Sequence, residues 1–83
     1  MKMNIQVLGT GCSKCKTLLE MVKKAVLETG VKAVVEKVEE IEKIMAYDIF
    51  MTPGLVINGQ VKAAGRIPKL EELKTMLQAA SAN

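Results

Sequence analysis

Histidine and tryptophan are absent from this 83-residue chain, and one tyrosine and one phenylalanine are its only aromatic residues. With so few rings there is no stacking surface for single strands or splayed bases, so no nucleic-acid partner is expected even at a net charge of +3. Without histidine, a closed zinc site would need carboxylates or a second chain beside the two cysteines, because such sites take four ligands. No apolar run approaches the roughly 20 residues of a membrane-spanning helix, and the start, Met1-Lys2-Met3-Asn4-Ile5, is too poor in apolar residues for a secretory signal. A cytoplasmic protein that does not engage a membrane is the expectation. No repeat, low-complexity tract or linker divides the chain, so residues 1–83 are expected to form a single domain and a monomer. At 49% apolar, a chain of this length can build a modest core and fold alone.

What charge there is lies unevenly. Residues 1–32 carry +4, residues 33–48 carry −3 and residues 49–83 carry +2. The basic segment includes both cysteines, which fits a site of raised potential better than a nucleic-acid groove.

Both cysteines fall in Gly9-Thr10-Gly11-Cys12-Ser13-Lys14-Cys15. Before it, Met3 to Leu8 alternates as a strand does; after it, Leu18, Leu19, Val22, Ala25 and Val26 recur at helical spacing, predicting a helix over 13–29 that ends at Gly30. The pair therefore sits where a strand turns into a helix. The first turn of a helix leaves backbone N–H groups unpaired and carries partial positive charge, and Lys14 and Lys16 add to it, so Cys12 is expected to ionise below the ordinary thiol value of about 8.5 and to be the more reactive sulfur. Cys15, a turn further in, is expected to be shielded. A disulfide between them requires Cβ atoms roughly 3.5–4.5 Å apart, so Cys12 must leave helical angles to close it. Gly9 and Gly11 are read as giving the loop that freedom.

Ala33 to Val38 is a second β-rich run, and Glu39 to Tyr47 reads as a short amphipathic helix with Ile41, Ile44 and Met45 on one face. A loop over 48–52 leads to Pro53-Gly54, then to the apolar run Leu55-Val56-Ile57, the turn signal Asn58-Gly59 and a fourth strand over Gln60 to Ala64. A last helix is expected to begin near Pro68 and to bury Leu70, Leu73, Leu77 and Ala80. Tyr47 and Phe50 are read as core packing, and Arg66 as a solvated turn residue in preference to one that steers an acidic partner. The order β-α-β-α-β-β-α implies an α/β fold: a parallel first pair of strands, an antiparallel last pair, and a mixed four-stranded sheet covered by three helices.

A C-x-x-C pair at a helix start admits small buried hydrophobes, a soft-metal thiolate site or a dithiol–disulfide couple. Its placement, with Thr52-Pro53 before the third strand, resembles a thioredoxin-like fold. The chain is similar to the very small thioredoxin-like redox-active disulfide proteins of archaea and some bacteria, through Gly9-Thr10-Gly11-Cys12, Cys15, Thr52-Pro53, Val56-Ile57-Asn58-Gly59 and Gly65-Arg66. That resemblance implies a thiol–disulfide oxidoreductase with Cys12 as attacking thiol, Cys15 as resolving thiol, Pro53 as a cis-proline beside them, and Gly11, Thr52 and Pro53 contacting the substrate. Lys14 is the candidate for tuning the thiol. The implied partners are disulfide-containing proteins and a dithiol reductase or other electron donor, with no cofactor and no resident metal. Thioredoxin's Trp before the first cysteine and Pro between the two are replaced by Gly11 and Ser13-Lys14, and the first strand supplies no acid. Two alternatives stand beside this reading. The Gly-x-Gly-Cys-x-x-Cys loop also looks like copper(I) chaperone domains, although those run β-α-β-β-α-β. A glutaredoxin-like protein using glutathione is the other.

Overall fold

In Met3 to Leu8, successive side chains leave on opposite faces of the chain, and the apolar ones are not shared equally between the two. Met3, Ile5 and Val7 are buried on one face, while on the other Asn4 is exposed, Gln6 half-buried and Leu8 buried. A strand that buries one whole face and the end of the other is suited to pairing on both edges. In the computed structural model, which describes residues 3–9, 13–47 and 51–81, this segment, β1 (Met3–Leu8), is an inner strand of a four-stranded mixed sheet. Gly11, Cys12 and Phe50 lie outside the described residues.

The elements follow the expected order: α1 (Ser13–Thr29), β2 (Ala33–Val38), α2 (Ile41–Met45), β3 (Gly54–Ile57), β4 (Gln60–Ala64) and α3 (Leu70–Ser81). The strands lie in the order β2-β1-β3-β4. β1 pairs in parallel with β2, as a helical crossover requires, and antiparallel with β3, which pairs antiparallel with β4. Asn58 and Gly59 both take positive φ, +51° and +82°, the pair of angles that a two-residue hairpin turn needs. Asn58 also reaches across to β1: its N–H donates to the Asn4 carbonyl at 2.7 Å, and its side-chain oxygen accepts from the Asn4 N–H at 2.9 Å. A register shift between Leu55 and Val56 lets Ala63 face the same side as Leu55, while Val61 pairs with Val56 on the other.

α1 and α3 lie against each other on the face carrying Met3, Ile5, Val7, Leu55, Ile57 and Ala63, and fill it with Leu18, Val22, Ala25, Leu73 and Leu77. α1 closes as its sequence predicts, with the Gly30 N–H donating to the Val26 carbonyl at 3.0 Å. α3 starts at Leu70, two residues later than expected. The Leu73 N–H donates to the Lys69 carbonyl at 2.9 Å, so the first helical turn begins after Pro68, whose ring is buried instead.

On the other face α2 is five residues long, not the nine predicted, and only Ile44 of its three apolar residues is buried. Ile41 and Met45 are 63% and 62% exposed, because little more than one turn of helix can aim one side chain at the sheet. Ile44 packs on Leu8, Val38 and Val56, with Tyr47 half-buried at the margin. Tyr47 thus has the packing role expected of it, and its hydroxyl also donates to Gln6 Oε1 at 2.6 Å. Val34 and Val61, beyond the reach of α2, are exposed, so the helices cover this second face only in part.

Candidate active site

Cys15 stands three residues before Leu18 and seven before Val22, on the stripe by which α1 faces the sheet. The position makes it the first buried residue of that stripe, with 1% of its surface accessible. Its sulfur lies against Gly9, the residue just beyond β1. Gly9 continues the pairing of β1 with β2 by donating its N–H to the Val38 carbonyl at 2.9 Å. Thr52 approaches from a third direction: a Cβ added at Gly9 would lie 4.0 Å from the Thr52 Cβ. The end of β1, the first turn of α1 and the segment before β3 therefore meet at one point.

The Thr52–Pro53 peptide bond is cis, Thr52 is exposed and Pro53 is buried. The Pro53 carbonyl accepts the Gly65 N–H at 2.9 Å, tying this segment to the end of β4. Gly65 has φ +76°, and a Cβ there would come within 2.8 Å of the Met51 Cβ, so both its backbone angle and the close approach of Met51 require glycine. Met51 itself is 64% exposed, an apolar side chain beside the site that the sequence pattern did not single out.

The charges expected to act on Cys12 cannot be placed against it, since Cys12 lies outside the described residues. Lys14 and Lys16 are exposed on the first turn of α1, which carries no acidic side chain to offset the positive end of the helix. Lys37 on β2 lies within electrostatic reach of the Cys15 sulfur. It pairs in register with Val7 and so occupies the sheet face on which α1 lies. Its ammonium is held above its usual range first by a hydrogen bond to Glu39, at 2.7 Å, then by the charge of Glu39, and in smaller measure by a negative Cys15. Strand alternation alone could have placed Lys37 on the helix-bearing face, but nothing in the sequence says how near the thiol it ends.

Arg66 is exposed in the turn after β4, as expected, and its guanidinium is not free of partners there. It holds the Glu72 carboxylate through both guanidinium nitrogens, at 3.1 and 2.7 Å, and so fastens the turn after β4 to α3. Among the described residues no group of three or more His, Cys, Asp or Glu could hold a metal ion. No helix among them is long and apolar enough to cross a membrane.

A mixed sheet in this order, with a buried thiol at the start of the helix that follows an inner strand, has the architecture of the thioredoxin fold. Two solved thioredoxins superpose on it. The germline-specific thioredoxin Deadhead of Drosophila melanogaster matches with a TM-score of 0.66 and 21% identity, over 94% of this chain and 80% of that one. The oxidised thioredoxin of Plasmodium falciparum matches with a TM-score of 0.63 and 14% identity, over 95% and 81%. At the level of sequence, residues 3–78 match the family model of the thioredoxin domain. A thioredoxin of Methanothermobacter thermautotrophicus is 39% identical over 75 residues, covering 90% of this chain and 97% of the relative. One of Methanocaldococcus jannaschii is 40% identical over 74 residues, covering 89% and 85%. The chain belongs to the thioredoxin family, and its role is that of a thiol–disulfide oxidoreductase.

Proposed function

We propose that the exchange runs through Cys12 and Cys15 within a single domain spanning residues 1–83. The Cys12 thiolate attacks one sulfur of a substrate disulfide, forming a mixed disulfide and releasing the other substrate sulfur as a thiolate that takes a proton. Cys15 then gives up its proton and attacks Cys12 Sγ. The Cys12–Cys15 bond forms, the mixed disulfide breaks, and the second substrate thiol is released. Two electrons and two protons have passed from the protein dithiol to the substrate. A dithiol reductase or other electron donor returns them.

The observation that carries the division of labour is the burial of Cys15 against Gly9. A thiol so enclosed is a poor target for a bulky disulfide, but it is well placed to attack a sulfur held on its own chain. Thr52, exposed and close to Gly9, supports a docking role: an extended substrate peptide can pair with its backbone as an added strand beside Pro53, and Gly11 is assigned to the same role by resemblance. Lys14 contributes positive charge to the first turn of α1, and Lys37 joins it from the sheet. The substrates in this reading are proteins carrying accessible disulfides, met in the cytoplasm by a monomer. The observed element order, with a helix between β2 and β3 and another at the end, favours this reading over a copper(I) carrier.

The test is capture. In Cys15→Ser the closing step is lost, so mixed disulfides should accumulate on Cys12 and be identified by mass, whereas Cys12→Ser should trap none. In wild-type protein, mild oxidation should cost about two hydrogens in mass, through an intramolecular disulfide whose yield follows the glutathione ratio. Failure to form that disulfide at any ratio, or first alkylation at Cys15 in the reduced protein, overturns the assignment.

A further inference from the structure

Gly9 is not a glycine for the sake of its backbone angles. The described glycines with positive φ are Gly30, Gly59 and Gly65, and Gly9 is not among them, so any residue could adopt its conformation. The loop freedom expected of it from the sequence is not what the position uses. What it uses is space. A Cβ built on Gly9 would overlap Cys15 Sγ and come within 3.1 Å of Cys15 Cβ. Neither backbone can easily retreat, which leaves rotation of the Cys15 side chain as the relief: Gly9 is hydrogen-bonded to Val38, and Cys15 belongs to a helix seated through Leu18, Val22 and Ala25, which are all buried.

We propose that Gly9 is a positioning residue for the redox reaction, its bare Cα forming the seat on which Cys15 Sγ rests at the depth from which it closes onto Cys12. The proposal builds on the Cys12–Cys15 reading above. It concerns the closing step, in which the Cys15 thiolate bonds to Cys12 Sγ and the substrate sulfur leaves with the electron pair of the mixed disulfide. A methyl group at position 9 would act unequally on the two redox forms. In the dithiol, Cys15 can turn about its Cα–Cβ bond and carry the sulfur out of the way. In the disulfide, the bond to Cys12 sets where the sulfur must be, because S–S geometry tolerates little deviation without strain. Crowding therefore weighs on the oxidised form.

Gly9→Ala tests this directly. The equilibrium constant for forming the internal disulfide against glutathione is expected to fall at least about tenfold, which for a two-electron couple is about 30 mV toward the more easily reduced side. Closure of the mixed disulfide should slow more than the first attack by Cys12, so that the Cys12 adduct builds up in rapid-quench samples. A variant that is merely less stable would shift neither the equilibrium constant nor the ratio of the two rates. The structural half of the claim is checked by urea unfolding of a double-mutant cycle, in which the cost of Gly9→Ala should shrink in a Cys15→Ala background because the sulfur is gone. If Gly9→Ala alone does not fold, regained folding in that background supports the seat and continued failure overturns it. An unchanged disulfide equilibrium constant in folded Gly9→Ala, or an unchanged cost in the cycle, also overturns it. Failure of the wild-type protein itself to form the disulfide would defeat the Cys12–Cys15 reading, and the cycle would still decide whether the sulfur is seated on Gly9.

Discussion

On one face of the sheet, two helices of 17 and 12 residues close over the apolar side chains of β1, β3 and β4; on the other, a five-residue helix lowers one isoleucine onto Leu8, Val38 and Val56. A long amphipathic helix repeats its buried stripe every turn, and each large aliphatic side chain removed from water contributes about 1.5–3 kcal/mol. A helix of little more than one turn contributes that once. The stabilising apolar contacts are therefore concentrated on the face where α1 carries Cys15. The thiol is seated by the same packing that holds the fold, whereas the region around α2, with Ile41 and Met45 exposed, is expected to open at lower cost than that face.

The contrast can be broken by substitution. Leu18→Ala, at a fully buried site of the thick face, should lose about 3–4 kcal/mol by urea unfolding, and Leu73→Ala a similar amount. Ile44→Ala on the thin face should fall at the lower end of such truncations, about 2 kcal/mol, since Ile44 is the one buried residue of α2. Equal losses at Leu18 and Ile44 would erase the distinction. Tyr47→Phe removes the hydrogen bond to Gln6 while keeping the ring, and should cost about 1 kcal/mol.

The smallest effect is expected outside both cores, at Arg66 and Glu72. The hydrogen bond from Arg66, reinforced by its charge, holds the Glu72 carboxyl below the usual carboxylate range against the opposing effect of burial. A carboxyl lowered on folding contributes stability above its unfolded value and loses it as pH falls through the folded one. Glu72→Gln should therefore lower the urea midpoint slightly at neutral pH and leave it unchanged near pH 2, so that the decline between about pH 5 and pH 2 is a little flatter.

The order of elements was legible because β1, α1 and α3 each keep one period throughout, and because chain connection fixes which strands run parallel. The length of α2 was not, since acids followed by Ile41, Ile44 and Met45 give the same pattern whether one side chain or three reach the sheet. At the site, Cys15 and Thr52-Pro53 could be read from motif and position, while the roles of Gly11 and Cys12 are carried by motif and resemblance alone. Lys37 and Met51 come near the site through contacts between distant segments, where sequence separation hides proximity. Gly9 was read as a flexible residue because glycine's two gifts, freedom and absence of bulk, look the same in a sequence.

The doubly held Asn58 bears on how the protein ages. Asn followed by Gly is the dipeptide in which the next backbone nitrogen most readily attacks the side-chain amide, closing a succinimide ring and expelling ammonia. Here the carboxamide oxygen is engaged by the Asn4 N–H and the Asn58 N–H by the Asn4 carbonyl, which fixes both the side chain and the start of the turn. Ring closure at Asn58 must first undo a rung between β1 and the hairpin. The chemical lifetime of that amide is thereby tied to how often this end of the sheet opens.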